Sequence, residues 1–234
     1  RHDGQAVTCD DFAQAIADAN PGSALAAHLA QFKRWYSQAG TPTLRARGDY
    51  DAAARRFTLT LAQAQRSAGA QPVVIPVAMG LVAADGRALP LRLAGEAAPV
   101  GTERVLVLTE AEQTFVFEDL DVAPVPSLLR GFSAPVVLDD GLADTQRLVL
   151  LQHDADAFNR WEAGQRLALG RLLAAIQGEG RLHLDDGFVE AMRSLLRHPG
   201  LDAAFKELVL TPPGEIFIAE QLAVLDPARV ASVR

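Results

Sequence analysis

Apolar residues recur at helical spacing as far as Gly40, alternate with polar ones from Thr43 to about Gly141, and return to helical spacing beyond it. Phe12, Ile16 and Ala19 mark a first stripe that ends at Asn20-Pro21-Gly22-Ser23. Leu25, Leu29, Phe32 and Tyr36, widened by Trp35, mark a second. Ahead of the first stripe Thr8 can cap the Asp11 amide while Asp11 reaches back, and Val7 can staple onto Phe12. Asp10 and Asp11 also stand where a helix dipole favours negative charge. The pattern predicts two leading helices. The stretch Gln31-Phe-Lys-Arg-Trp-Tyr-Ser-Gln-Ala-Gly-Thr-Pro42 then turns the chain, because Gly40 can take the left-handed conformation and Pro42 cannot continue a helix. Its aromatics are placed to pack one layer onto the next.

Phe57, Leu59 and Leu61 alternate with Thr58 and Thr60, as a half-buried strand does. The run from Val73 to Val82 contains Pro76, which supplies no ladder donor and predicts an edge or bulged strand. Asp85-Gly86 separates this run from Leu89, Leu91 and Leu93, predicting a hairpin. Further strands are predicted at Val105–Leu108, Thr114–Phe117 and Pro135–Leu138, and short strands separated by turn chemistry indicate a small β-sandwich. After Asp139-Asp140-Gly141, Leu148 and Leu151 suggest a short helix, and Asp154 and Asp156 offer caps for the next. That helix places Phe158, Trp161, Gln165, Leu169, Leu172 and Ile176 on one face and ends at Gly178-Glu179-Gly180. Helices follow from Gly187 to Arg197 and from Leu201 to Leu210, stopped by Pro199-Gly200 and Thr211-Pro212-Pro213, and no stop signal precedes Arg234. The fold class expected is α+β: two leading helices, a small all-β sandwich, then an incomplete all-α array.

Composition narrows the partners. The chain has 234 residues, room for one or two domains, and its hydrophobic share of 49% and charged share of 22% are those of a globular protein. A formal charge of -7 argues against a phosphate-tracking surface, so nucleic acid is not an expected partner. No apolar run is long enough to span a bilayer, and no secretory apolar segment follows Arg1-His2-Asp3-Gly4. The absence of an initiator Met suggests a start inside a longer reading frame or after processing. The single cysteine, Cys9, excludes an internal disulfide and fits a reducing compartment.

Candidate chemistry is sparse. His2, His28, His153, His183 and His198 are scattered and none is followed by Glu, so the His-Glu-x-x-His helix of a zinc protease is missing. His198, beside a helix end, reads as a cap on the last carbonyls. Gly131-Phe132-Ser133-Ala134-Pro135 lacks the final glycine of a nucleophile elbow and precedes a strand instead of following one. Cys9 stands at a helix N-terminus, where a thiol pKa can fall, but no sequence-adjacent base accompanies it. Asp154 and Asp156 begin like a calcium loop, yet Phe158 and Asn159 break the pattern and the two aspartates read as caps. Glu110 and Glu112 read as solvated turn residues, and Gly178 and Gly180 follow no strand, so they form no phosphate loop. Arg45, Arg47, Arg55 and Arg56 read as a solvated face offset by Asp49 and Asp51.

Five stretches carry a resemblance: Arg1-His2-Asp3-Gly4 with Thr8-Cys9-Asp10-Asp11-Phe12; Phe32 to Pro42; Ala111 to Phe117; Pro124 to Pro135; and Phe158-Asn159-Arg160-Trp161-Glu162-Ala163-Gly164-Gln165. Together they resemble the bacterial aminopeptidase N family, zinc metallopeptidases of the gluzincin type, over nearly the whole chain. The resemblance implies a position inside a larger enzyme. Residues 1–40 would be the last helices of a catalytic domain, 41–140 a β-sandwich domain, and 141–234 the opening helices of a C-terminal helical domain that closes over the active site. The family's zinc helix, downstream glutamate ligand, Gly-x-Met-Glu-Asn motif and catalytic tyrosine would all precede this chain, so no catalytic or metal residue carries over to it.

By that resemblance the full-length protein would be a cytoplasmic hydrolase that removes N-terminal residues from peptides with zinc-activated water. This stretch would hold no cofactor, be inactive alone, and act as a spacer between catalytic domain and cap. Phe32, Trp35, Tyr36, Phe158, Arg160 and Trp161 would be its structural anchors between domains, and its partners would be the rest of its own polypeptide and, through the whole enzyme, peptide substrates. Two other readings are set beside it. A free-standing β-sandwich module that binds proteins or peptides would show a complete helical part and a groove at a sheet edge. A cysteine enzyme built on Cys9 would be inactivated by a thiol alkylator.

Overall fold

The structure is a computed structural model that describes residues 3–178 and 181–234. By internal contacts the chain forms two compact units, residues 1–81 with 90–141 and residues 82–89 with 142–234.

The first unit opens with α1 (Cys9–Ala19), whose N-terminus closes as its residue types require. Thr8 Oγ1 accepts from the Asp11 amide at 3.2 Å, and the Thr8 amide donates to Asp11 Oδ2 at 3.0 Å. The expected apolar stripe is not the buried one. Ala13 and Ala17 face inward while Phe12 is 61% exposed and Ile16 and Ala19 are also exposed, so Val7 and Phe12 pin no core here. The second expected helix is broken into α2 (Ala24–Ala27), α3 (Leu29–Phe32) and α4 (Arg34–Ser37). Ser23 caps α2 through the Ala26 amide, and His28 leaves the helical region at φ -121° and ψ 23°. Gly40 turns the chain at φ 92°.

Two sheets follow. One has the order β5 (Glu112–Phe117), β2 (Arg56–Ala64), β1 (Thr43–Asp51), β7 (Val137–Asp139), and the other β4 (Glu103–Leu108), β3 (Ile75–Val82), β6 (Val125–Leu128). β2 is antiparallel to β1 and β5, with Leu59 opposite Gly48 and Phe115, whereas β7 runs parallel to β1 with Val137 opposite Thr43. The predicted alternation in β2 holds: Phe57, Leu59 and Leu61 are buried, and so are Leu44 and Ala46 of β1. Gly48 continues that inward row where a Cβ would lie 2.5 Å from the Phe57 ring, so the glycine makes room for a diagonal aromatic. On the other sheet Ile75, Val77, Met79, Leu81, Leu106 and Leu108 are buried, which completes the two inner faces of a sandwich.

Pro76 corrects one expectation. β3 is the central strand of its sheet, not an edge, and Pro76 lies opposite Val107. Residues two apart in a strand point their amides to the same side, and the Ala78 amide donates to Ser133 Oγ at 3.0 Å instead of to a strand carbonyl. The donor that proline lacks therefore falls on a side where a hydroxyl already stands in for the ladder. The segment after the Asp85-Gly86 turn is a second correction. Val82 bridges Ala88 and the Ala83 amide donates to Arg87 O, so the turn forms, but Leu89, Leu91 and Leu93 make no strand. Leu91 instead exchanges bonds with Val100 and Gly101 in an irregular loop. β1 and β6 were not singled out from the sequence.

The second unit is helical: α5 (Asp144–His153), α6 (Ala157–Gln177), α7 (Asp186–Arg197), α8 (Ala203–Leu210), α9 (Glu215–Ala219) and α10 (Pro227–Val233). Aspartate starts four of these in the same way, with Asp156, Asp185, Asp202 and Asp226 accepting from the amides of Asn159, Phe188, Phe205 and Arg229. The buried side of α6 is rotated from the one expected. Asn159, Arg160, Ala163, Gly164 and Leu167 are buried in its first half, while Phe158, Trp161, Gln165 and Leu169 are partly open. Small residues decide this: a Cβ on Gly164 would sit 3.2 Å from both Leu151 and Val209, so α6 meets its neighbours along the glycine side. Leu172, Ala175 and Ile176 join Ile218, Val230 and Val233 in the core at its other end.

Candidate functional site

The residues between Gln31 and Gln38 bind the first unit's sandwich through side chains aimed at main-chain carbonyls. Gln31 Nε2 donates to Thr109 O at 2.5 Å, Arg34 Nη1 to Pro72 O at 2.6 Å, and Trp35 Nε1 to Val74 O at 2.8 Å. Gln38 donates to Gln71 O and accepts from the Gln71 amide, and Ser67 Oγ donates to Ala39 O. The receiving segment is held from beneath by buried Gln63, whose amide group bonds Val73 on both its N–H and its carbonyl and also reaches Glu110 O. Gln31, Arg34, Trp35 and Gln38 stand at i, i+3, i+4 and i+7, the spacing that lines one side of a helical segment, so all four face the same strip of the sandwich. Trp35 is thus an anchor within the first unit. Phe32 packs edge-on to Tyr36 with ring centroids 6.0 Å apart, and Tyr36 itself is exposed.

The Pro124 to Pro135 stretch is structural in a similar way. Arg130 is buried, with Nε donating to Ser127 Oγ at 2.8 Å and Nη1 paired with Glu103, and its guanidinium lies across Gly80, where a Cβ would approach to 2.6 Å. Leu129, Gly131 and Phe132 hold positive φ around it. Ser133 accepts from Ala78, so its hydroxyl is engaged by the sheet.

In the second unit the start of α6 carries the remaining anchor candidates. Phe158 and Trp161 stack with centroids 5.7 Å apart. Asp154 is 1% exposed, its Oδ1 accepting from the Asp156 amide, so both aspartates serve the turn into α6 as expected. Arg160 is 8% exposed, and burial lowers its pKa while the Asp154 carboxylate acts the other way. His153 stands nearby; burial and then Arg160 hold its pKa below the ordinary histidine value, with Asp85 opposing them. A Cβ on Gly86 would lie 2.6 Å from the His153 ring. Between α6, α7 and α8 lies a groove of about 230 Å³ walled by Leu172, Leu184, Phe188, Met192 and Val209. Arg171 beside it is saturated by Asp185, Asp144 and the Phe188 ring, 4.6 Å from its guanidinium carbon.

The other candidates stay apart. His2, Glu179 and Gly180 lie outside the described residues. Among the described residues no group of three or more His, Cys, Asp or Glu could hold a metal ion. Cys9 is exposed at the first residue of α1, and Glu110 and Glu112 are exposed. His198 is not a cap on helix carbonyls: its Nδ1 accepts from the Gly200 amide at 3.1 Å, because the chain turns back toward the ring. Nor are the arginines offset by Asp49 and Asp51. Register places Arg45 and Arg47 beside Asp139, while Arg56 meets Glu118. Arg47, then Arg45, holds the Asp139 pKa below the usual carboxylate value. Among the described residues no helix is long and apolar enough to cross a membrane.

A domain-family profile described as a domain of unknown function (DUF3458) with an Ig-like fold matches residues 40–141. A second, described as DUF3458_C with ARM repeats, matches residues 144–234. Aminopeptidase N of Escherichia coli strain K12 is 39% identical, that of Caulobacter vibrioides 38% and that of Haemophilus influenzae 34%, each over the whole of this chain. The chain spans 26–27% of the length of these relatives. The crystal structure of Legionella pneumophila aminopeptidase A in complex with aspartic acid superposes on 99% of the chain at 26% identity and TM-score 0.78, using 25% of its own length. Over its Ig-like and ARM-repeat domains, the chain belongs to the aminopeptidase N family.

Proposed function

We propose that this chain is a non-catalytic stretch of a longer, zinc-dependent aminopeptidase of the cytoplasm, in which a β-sandwich sets the spacing between a catalytic domain and a helical cap. The observation that carries this reading is likeness along the whole chain to aminopeptidases of which it spans only about a quarter. Zinc and the groups that activate water belong to other parts of that enzyme, and this chain alone hydrolyses no peptide. On this reading residues 1–40 end the catalytic domain, 41–140 form the sandwich and 141–234 open the cap. Phe32, Trp35, Tyr36, Phe158, Arg160 and Trp161 are the structural anchors. The partners are the rest of the same polypeptide, and peptide substrates by way of the whole enzyme.

Exposed apolar side chains support this. Val7, Phe12 and Ile16 are open on and beside α1, and Ile216 and Val224 are 79% and 85% exposed near the end of the chain. Such side chains suit faces that neighbouring parts cover. Zinc content by elemental analysis and hydrolysis of a fluorogenic alanine amide, on this chain and on the longer polypeptide, test the reading. Zinc and chelator-sensitive activity in the longer protein alone are expected. Stoichiometric zinc with activity in this chain by itself would overturn the assignment.

A further inference from the structure

The turn at residues 82–89 clusters with the helical unit and meets the end of α5. Its own bonds are local: Val82 bridges Ala88, the Ala83 amide donates to Arg87 O, the Gly86 amide to Ala83 O, and the Arg87 amide to Asp85 Oδ1. Gly86 lies against the Cγ–Nδ1 edge of the His153 ring, so close that a Cβ would come within 2.6 Å of both atoms. Among the described residues the ring has no hydrogen-bond partner. This seat suits a neutral imidazole. A neutral ring can carry its proton on Nε2 and leave Nδ1 bare beside the glycine, whereas an imidazolium carries an N–H on both nitrogens. The Nδ1 proton would then face carbon with no acceptor, which costs the desolvation of a charged donor.

We propose that the 82–89 turn is an acid-sensitive latch on α5, seated while His153 is neutral and loosened when the ring takes up a proton. Charges of both signs stand around the ring. Arg160 of α6, itself 8% exposed, opposes the charged form, while Asp85 of the turn favours it, as does the carbonyl end of α5. Arg87 stands 3.9 Å from Asp85, and Asp154 faces Arg160. Among the described residues α7, which also packs on α5, adds no charge that acts on the ring. Burial first, then Arg160, prevail over Asp85 and hold the His153 pKa below the ordinary 6.5. A lowered histidine gives its stabilisation in full above the unfolded value and loses it as pH falls through the lower value of the seated ring.

Hydrogen exchange in the whole chain tests the latch, read as protection factors so that the intrinsic pH dependence of exchange drops out. Between about pH 7.5 and about pH 5, protection of the Ala83 and Gly86 amides is expected to fall several-fold while that of β2 holds. His153→Gln, neutral and of similar size, is expected to abolish the difference. Asp85→Asn removes the attraction to the charged ring yet keeps an acceptor for the Arg87 amide, and is expected to deepen the loss. Coupling between the seat and the proton runs both ways, so NMR titration in Gly86→Ala, which displaces the turn, is expected to bring His153 back up toward its ordinary value. Turn protection that does not change with pH, a pH dependence that persists in His153→Gln, or a ring that titrates alike with and without Gly86→Ala would each overturn the proposal.

Discussion

Gly86 and Gly4 both hold positive φ, at 90° and 72°, but only Gly86 is also crowded. A Cβ there would meet the His153 ring at 2.6 Å, while around Gly4 nothing lies within 4 Å. Gly86→Ala is therefore expected to cost the left-handed strain of about 1–2 kcal/mol and a further overpacking penalty of about 1–3 kcal/mol. Gly4→Ala is expected to cost the strain alone, and chemical denaturation of the two variants separates the contributions. Carboxylates make a second residue-scale case. The Phe188 amide, then Arg171, lowers the Asp185 pKa below its ordinary 3.8. A lowered carboxylate stabilises the fold above its unfolded pKa, and that contribution disappears as pH falls through the folded value. Asp185→Ala is expected to lose about 1 kcal/mol near neutral pH through the missing cap, with the gap to the unmodified chain closing below about pH 4. Unfolding midpoints measured across pH 3–7 would show it, and a gap independent of pH would refute it. The capping roles of Thr8 and Asp156 could be read from sequence because both partners lie within three residues. The close contact of Gly86 with His153 could not.

At the scale of elements, local pattern identified which segments are helix or strand better than which side of them is buried. β2 alternates as expected because β1 pairs with it along its full length and β5 from Phe57 to Ala62. α6 turns a different side inward, since Gly164 lets Leu151 and Val209 approach its backbone and leaves Phe158 and Trp161 at the margin. Gly164→Leu is expected to force those elements apart and to destabilise the helical unit by about 1–3 kcal/mol, read by denaturation. A neutral effect would mean that α5 and α8 are free to shift. Pro76 makes the same point for a strand. Its missing donor argued for an edge, yet a hydroxyl from Ser133, 57 positions along from Pro76, lets the central strand tolerate it.

At the scale of the whole molecule, the Gln31–Gln38 clasp ties the leading helices into the sandwich unit, in which they cluster with residues 41–81 and 90–141. Trp35→Phe keeps the aromatic bulk and removes the hydrogen bond to Val74 O, with an expected loss of about 1 kcal/mol. Trp35→Ala is expected to lose about 3–5 kcal/mol, and no change in the unfolding midpoint would show that the clasp does not hold the helices.

Composition, caps, turn glycines and hydrophobic period were enough to specify helices, then a sandwich, then helices, and the motif stretches were enough to point to the family. These are short-range properties, each written within a few residues of chain. What only the tertiary structure decided was long-range: the parallel pairing of β7 with β1, the rotation of α6, and the pairing of Arg45 and Arg47 with Asp139. Each depends on groups brought together from distant positions, where close packing and the need to satisfy buried donors and charges override the local pattern.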